Sequence, residues 1–537
     1  MKRNILIIAL VVLSVSAGAQ SKNFRLGRWT ETQNAILKEL DKSYVDSLPV
    51  DRIERAGIDA MLADLDPYTV FVPEEENENL QMMINRTYGG IGAVIYKPDV
   101  NGPVIINEPY AGSPAQKYDF HCGDEILEID GATVVGLTSQ ECSDKMRGDP
   151  GTVVTFKVKK LRTGDIQEVK VTREKIHLPD VEYVGMITDK VGYILLSGFT
   201  EGVAQEVREG VERLKKEGMQ EFVLDLRGNG GGLLSEAADI VSIFVPKGSL
   251  VVNAKGKDPQ ACYTVKTTKN PVDTKLPVTI LVDSGSASAS EIVSGALQDL
   301  DRATIMGQRT FGKGLVQSIR SLPYGGELKV TTAKYYTPSG RCVQAIDYSQ
   351  RNEDGSVGHI PDSLTHEFKT AHGRIVKDGG GITPDVELKQ EDFSRLTYSL
   401  VLNGVCEQYA LEFVRKHESI PEAKEFHLAD EDYEDFIEFA KTKEFDYRSS
   451  AKTLFDQMKK ELQKDGLEDT VKDQLDNLEK SLDIEKEEFL RLKKEEIIPF
   501  IEEEVVVRYY FQEAGIALRV RYDKPLWQAL ESPKIKY

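Results

Sequence analysis

The stretch Val278-Thr279-Ile280-Leu281-Val282-Asp283-Ser284-Gly285-Ser286-Ala287-Ser288-Ala289-Ser290-Glu291 decides the reading of this chain. Five uninterrupted residues of strand-forming, mostly apolar character predict a strand buried on both faces. The small residues after it predict a tight turn, and a helix follows over 288–299. The start of a helix leaves N–H groups without intrahelical partners and carries positive potential, and small side chains let another backbone approach closely. A serine in such a turn is placed to act as a nucleophile. The same composition also makes an ordinary helix cap. Spacing alone does not choose among Ser284, Ser286, Ser288 and Ser290.

Outward from this stretch the chain alternates strand and helix. Strands are expected at 192–196, 222–226 and 303–306, and helices at 203–216 and 233–244. That recurrence predicts a mostly parallel sheet covered by helices. Two further segments stand at strand ends. Asp225-Leu226-Arg227-Gly228-Asn229-Gly230-Gly231-Gly232 carries four glycines among its last five positions, and its exposed N–H groups would suit an oxyanion. Phe311-Gly312-Lys313-Gly314 sets one lysine between glycines. A lysine desolvated in an apolar site loses its proton and can serve as base to a serine. Moving its pKa from about 10.4 toward 7 costs about 4–5 kcal/mol, so the burial must be substantial.

Other chemistries fail on their residues. Gly307 to Lys313 has the glycine and lysine spacing of a phosphate-binding loop, but Gly314 stands where a Ser or Thr would hold magnesium. No His-Glu-x-x-His pair is present, and no histidine lies between His177 and His359, across the whole α/β region. The five cysteines, Cys122, Cys142, Cys262, Cys342 and Cys406, are scattered and lack C-x-x-C spacing. Cys122 with Cys142 is the most local candidate for a disulfide. No metal and no cofactor is expected. Ser449 and Lys452 mimic an S-x-x-K motif within a charged tail, away from any glycine-rich turn.

The flanks differ in character. Residues 22–85 have helical periodicity, broken at Asp66-Pro67. From 88 to 175 short strands alternate with turn signals, beginning with Tyr88-Gly89-Gly90-Ile91-Gly92. After 392 the chain is helical and strongly charged, and Pro499 is expected to kink or end a helix. This tail reads as a solvated appendage or as the surface of a homo-oligomer. Among 537 residues, 88 acidic against 68 basic give a net charge of −20, which argues against a nucleic-acid binder. Lys2 and Arg3, an apolar run and Ala17-Gly18-Ala19 form a signal-peptide pattern, so the protein is expected to be periplasmic or otherwise extracytoplasmic after cleavage near Ala19.

Taken together, the quoted segments resemble the C-terminal processing (tail-specific) serine peptidases of family S41. The run 286–292 is similar to that family's nucleophile motif, 310–317 to its lysine motif, and 225–232 to its oxyanion loop. Tyr335-Tyr336-Thr337-Pro338-Ser339-Gly340-Arg341 continues the likeness. The resemblance implies an α/β multidomain protein. It would have a crotonase/ClpP-like peptidase core, an inserted β-rich PDZ domain and helical N- and C-terminal regions. The implied division is a signal peptide at 1–19, a helical region at 20–85, the PDZ domain at 86–176, the peptidase core at 177–392 and the charged helical region at 393–537.

The resemblance makes Ser288 the nucleophile, Lys313 the general base and Gln317 a residue that orients the lysine. It places the oxyanion hole at the N–H groups of Ala289 and of Gly230 or Gly231, with Gly231 preferred. Tyr88, Gly89, Gly90, Ile91 and Gly92 would form the loop that binds a substrate's terminal carboxylate. The implied substrates are proteins or peptides with exposed C-termini, without nucleic acid. The chain departs from the simplest pattern in the polar stretch 345–380 and in its helical tail. The rival reading is a PDZ scaffold that binds C-termini without chemistry, which has no need of Lys313, Gln317 and the glycine loop together.

Overall fold

The structure, a computed structural model, describes residues 21–76, 86–348 and 357–535. It divides into two units, 1–71 and 72–537. The first holds helices α1 (Lys22–Ser43) and α2 (Val50–Ala63), and strand β1 (Val70–Val72) begins at its end. The Ser21 side chain caps α1 by accepting the Phe24 N–H. The helical reading of 22–85 holds only to residue 63. Pro67 lacks an N–H, and the Asp66 carboxylate accepts the N–H groups of Tyr68 and Thr69 and the Thr69 hydroxyl. That closed turn sends the chain into a strand. Residues 77–85, also read as helical, lie outside the described residues.

The second unit opens with a β-rich block. Strands β2 (Thr87–Gly90), β3 (Ala93–Tyr96) and β4 (Val104–Pro109) lead to the short helix α3 (Pro114–Lys117). Next come β5 (Glu125–Ile129), β6 (Ala132–Thr133), helix α4 (Ser139–Met146), β7 (Val153–Lys159), β8 (Ile166–Thr172) and β9 (Glu174–His177). The sheet order is β3-β4-β5-β7-β8, while β2 pairs with β9. Alternating residues Val154, Phe156 and Val158 face inward on β7, as a half-buried strand requires. Helix α4 starts on a reciprocal cap between Thr138 and Glu141.

The central layer is built from β10 (Val181–Met186), β11 (Val191–Leu196), α5 (Val203–Lys216), β12 (Glu221–Asp225) and α6 (Leu234–Val241). It continues through β13 (Leu250–Gly256), β14 (Tyr263–Lys266), β15 (Val278–Val282), α7 (Ala289–Asp299) and β16 (Thr304–Gly307). Strands β17 (Leu315–Ser321) and β18 (Glu327–Tyr336) form a long antiparallel ladder, and β13 pairs with both β18 and β14. Beyond them lie β19 (Glu367–Lys369), β20 (Ile375–Lys377) and β21 (Val386–Glu387).

The main sheet runs β10-β11-β12-β15-β16-β21 and is parallel from β11 to β21. All five residues of β15 are buried, and α5 buries Val203, Val207, Val211 and Leu214 along one stripe. The expected α/β sheet is therefore present, and the catalytic candidates stand at the C-terminal ends of its parallel strands. The polar stretch after residue 344 carries the β19–β20 hairpin, tied down by Arg374 to Asp301 and Asp385.

The C-terminal region is a helical domain with its own core. Its helices are α8 (Arg395–Leu402), α9 (Val405–Lys416), α10 (Asp430–Lys441), α11 (Ser450–Lys464), α12 (Lys472–Leu482), α13 (Lys486–Leu492), α14 (Lys494–Tyr522) and α15 (Lys524–Glu531). Tyr409, Phe413, Phe436, Ile501 and Val505 pack inside it. Pro499 does not end α14, which runs on through it. Fully buried Ile497 and Ile501 on either side hold the helix through it, and the break falls at Phe511, with φ 67° and ψ 178°.

At that break the Gln512 N–H donates to Glu108 Oε1 at 2.8 Å, and Arg508 donates to Asn107 Oδ1 at 3.0 Å. The tail thus touches the β-rich block directly. All five cysteines are free thiols, and Cys122 donates to the Asn107 carbonyl rather than pairing with Cys142. Ser449 caps α11 by accepting the Lys452 N–H, which accounts for the S-x-x-K spacing there.

Candidate active site

The turn after β15 sorts its four serines. Ser286 and Ser290 are fully buried, and their hydroxyls donate to the carbonyls of Leu226 and Asn229 at 2.7 and 2.8 Å. Ser284 is exposed and lines a separate cavity. Ser288 alone of the four lines a cavity of about 1130 Å³ whose walls also carry Lys313, Gln317, Gly230 and Gly231. Its backbone is held at φ 56°, ψ −110°, a conformation that costs an L-residue about 1–3 kcal/mol and marks a constrained turn.

Glu291, in the first turn of α7, ties this turn to the lysine segment. Its carboxylate is fully buried and accepts four hydrogen bonds. The Ser288 and Lys313 N–H groups donate to Oε2, at 2.9 and 2.8 Å. The Gly312 N–H and the Thr310 hydroxyl donate to Oε1, at 2.8 and 2.7 Å. Burial pushes the Glu291 pKa up, and the four donors pull it back. Tyr335 adds a second tie from β18, its hydroxyl lying 2.7 Å from the Lys313 carbonyl oxygen and 3.2 Å from that of Ser288. Burial raises the Tyr335 pKa well above the phenol range, so it remains a neutral donor.

The glycine loop lies against the nucleophile turn. A Cβ on Gly231, at φ 99°, would fall 2.7 Å from the Ala287 carbonyl oxygen and 2.8 Å from both Ala289 N and Ser288 Cβ. Only glycine fits there. Fully buried Asn229 anchors the loop: its Nδ2 donates to the Leu196 carbonyl, and its own carbonyl accepts from Ala287 N–H. Its Oδ1 accepts the Gly231 N–H at 2.9 Å, so that expected oxyanion donor is engaged in this structure. The Ala289 N–H has no acceptor among the described residues. Gln317 stands on β17 facing the cavity, its amide donating to Thr331 Oγ1 at 3.3 Å.

A second, smaller groove of about 110 Å³ lies on the β-rich block between β3 and α4. Tyr88, Gly90 and Ile91 form one end of it. The carbonyls of Ile91 and Gly92 accept the N–H groups of Ala115 and Tyr110, while the N–H groups of Ile91 and Gly92 have no acceptor among the described residues. Gly89 packs against Gly148, whose N–H it accepts, and has no room for a side chain. Arg147 lies 5.1 Å over the Tyr88 ring, and burial pushes the Tyr88 pKa up to about 12. Arg147 and Leu178 line both the groove and the larger cavity, so the two depressions share a wall.

The arrangement therefore offers a constrained serine, a lysine in the same cavity, an open helix-start N–H and a neighbouring groove with two open N–H groups at its end. Glu291, Tyr335 and Asn229 were given no role by sequence reasoning. Glu291 was legible only as the third residue of a helix cap, and the residues it reaches at 310–313 are distant in sequence. Among the described residues, no cluster of His, Cys, Asp or Glu could hold a metal ion.

Residues 190–350 match the model of Peptidase family S41, residues 105–160 match a PDZ domain, and residues 396–532 match "Probable PDZ-protease, C-terminal helical domain". The chain is 36% identical over 314 residues to "Probable CtpA-like serine protease" of Staphylococcus aureus (strain COL), covering 57% of this chain and 61% of the relative. The protein of that name from Staphylococcus haemolyticus (strain JCSC1435) is 35% identical over 308 residues, with the same coverage. The matched region spans about three fifths of the length of these relatives. Among solved structures, the photosystem II D1 C-terminal processing protease is 27% identical, covering 65% of this chain and 86% of that one with a TM-score of 0.35.

Proposed function

Because the chain carries a family S41 peptidase domain together with a PDZ domain, we propose that it is an exported serine endopeptidase cutting proteins at or near their C-termini. The observation that carries this reading is the sorting of the turn. Of its four serines, the strained Ser288 is the one that lines a cavity with a lysine, and one carboxylate positions both.

In the proposed reaction Ser288 Oγ attacks the scissile carbonyl carbon while Lys313 Nζ takes the hydroxyl proton. The developing oxyanion is held by the N–H groups of Ala289 and Gly231, the latter released from Asn229. Lys313 returns the proton to the leaving amine, and an activated water then hydrolyses the acyl-enzyme. Gln317, turning from Thr331, would orient the lysine. The loop from Tyr88 to Gly92 would capture the substrate's terminal carboxylate by β-augmentation beside β3, next to the cavity. Oligomerisation through the C-terminal helices belongs to the same proposal, as does an extracytoplasmic location after cleavage near Ala19.

The test uses a protein with an unstructured C-terminal tail, incubated with wild type, Ser288→Ala and Lys313→Ala, its termini read by mass spectrometry. Cleavage by the wild type alone supports the dyad, and equal cleavage by all three refutes it. A scaffold without chemistry would bind the tail and leave it whole. Turnover should fall as pH drops and Lys313 takes a proton, and a rate flat between about pH 5 and 9 counts against a lysine base. Fractionation with N-terminal sequencing tests export: a cytoplasmic chain still beginning at Met1 would exclude it.

A further inference from the structure

The catalytic cavity is cationic in an acidic protein. Its charged lining residues are Arg86, Arg147, Lys313 and Lys329, and no Asp or Glu lines it among the described residues, although the chain carries 88 of them. Three of these cations are accounted for. Arg86 donates to Asp180 Oδ1 at 2.6 Å and to Ser197 Oγ at 2.9 Å, Arg147 lies over Tyr88, and Lys313 is the proposed base.

Lys329 is not. It projects from β18 opposite Ile319 of β17, and no hydrogen bond or ion pair joins it to a described residue. It is half-buried, and burial lowers its pKa from the ordinary lysine value. Directly paired residues of an antiparallel ladder share a face. Lys329 and Ile319, with Gln317 two residues along β17, therefore form one patch of the cavity wall. The diagonal from Lys329 to Gln317 is about 7–8 Å between Cα atoms, and Ser288 and Lys313 line the same cavity. A half-buried ammonium facing a cavity lined by no described carboxylate carries a desolvation penalty that no described group offsets.

We propose that Lys329 is a specificity-determining residue that seats a substrate carboxylate within a few residues of the bond to be cut. This rests on the peptidase reading above and names the substrate class of that same cavity: acidic segments, or a chain end, drawn in beside Ser288. The carboxylate can belong to an Asp or Glu side chain or to the free C-terminus, and the experiment separates the two.

Peptides identical except for Asp, Asn or Lys walked through the positions flanking the cleaved bond are made with free-acid and amidated C-termini. Cleavage efficiency, kcat/KM, is measured for wild type, Lys329→Gln, Lys329→Glu and Lys329→Arg. The expected result is a preference for Asp over Asn of tenfold or more at one position, kept by Lys329→Arg, removed by Lys329→Gln and turned toward Lys by Lys329→Glu. An Asp-over-Asn preference removed by Lys329→Gln assigns the side chain, and a free-acid-over-amide preference removed by Lys329→Gln assigns the chain end. Asp/Asn and acid/amide ratios both unchanged within twofold in all variants overturn the proposal. So does a uniform displacement of the kcat–pH profile for every peptide at constant ratios, which would make Lys329 a tuner of Lys313 instead. Cleavage with flat ratios removes this inference alone, whereas no cleavage by the wild type removes the peptidase reading and this with it.

Discussion

The main-chain N–H groups of Ser288 and Lys313 converge on a single oxygen, Oε2 of Glu291, at 2.9 and 2.8 Å. A glutamine at 291 would offer one acceptor oxygen and turn an amide donor toward two of the four groups the carboxylate now satisfies. Glu291→Gln should therefore lower kcat/KM about 100-fold, equivalent to about 2.7 kcal/mol, with a lower melting temperature. Steady-state kinetics and calorimetry check this, and wild-type activity in the variant would exclude Glu291 as the clamp.

Tyr335→Phe removes one hydroxyl shared between the Lys313 and Ser288 carbonyls while keeping the ring. The expected loss is about 1 kcal/mol of stability and a several-fold drop in kcat. Because both residues fix the same two segments, Tyr335→Phe and Glu291→Gln should combine non-additively in a double-mutant cycle. Strict additivity would mean that the two ties act independently.

Ser288 sits at φ 56°, where any residue with a Cβ is strained. Ser288→Gly and Ser288→Ala should both abolish cleavage, yet the glycine variant should be more stable by about 1 kcal/mol, relief of strain exceeding the added unfolded-state entropy. Denaturant melts of the two variants decide it, and an alanine variant of equal or greater stability would contradict a strained turn.

Adjacent glycines in the loop should respond differently. A Cβ at Gly230 meets nothing within 4 Å, whereas one at Gly231 meets the Ala287 carbonyl oxygen, Ala289 N and Ser288 Cβ below 3.0 Å. Gly230→Ala should fold and keep most activity, while Gly231→Ala should lose at least 100-fold in kcat and melt earlier. Equal tolerance at both positions would show that the loop is not held against the nucleophile turn.

Glu407 tests the acid–base behaviour of the helical domain. Burial, and then the neighbouring Glu504 charge, push its pKa to about 7 from 4.5, with Arg508 opposing. A raised carboxyl pKa means that the folded state holds the proton more tightly. Its stabilisation is complete below about pH 4.5 and is lost as pH rises through 7. Glu407→Gln should then stabilise the protein at pH 8 by about 1–2 kcal/mol after allowance for solvent screening, with no gain at pH 4.5. Urea melts at the two pH values provide the measurement, and equal effects at both would exclude the titration.

The strand at 278–282, the helix after it and the parallel sheet were legible because their signals are local: an unbroken apolar run, small residues at a turn, a stripe at helical spacing. Choosing among four serines was not legible, because the choice depends on hydroxyl partners at Leu226 and Asn229, supplied by a loop distant in sequence. The position of Gln317 was expected, but its bond to Thr331 was not, since strand pairing across β17 and β18 sets it. Pro499 misled for the opposite reason. Its local preference is strong, and tertiary packing of Ile497 and Ile501 overrode it. The break at Phe511, a residue with no turn-forming signal, follows from where the helix meets the β-rich block.

That meeting gives the far end of the chain a say in its front. Cutting the protein before Arg508 would be no harmless pruning. It would strip Asn107 of its guanidinium and Glu108 of its amide donor, and would lay open Cys122, whose thiol is now pushed up to about 12 by burial. A shortened version should thus acquire a sulfur that alkylating reagents find at neutral pH. Thiol counting before and after truncation would register whether the second half of α14 is what keeps it quiet.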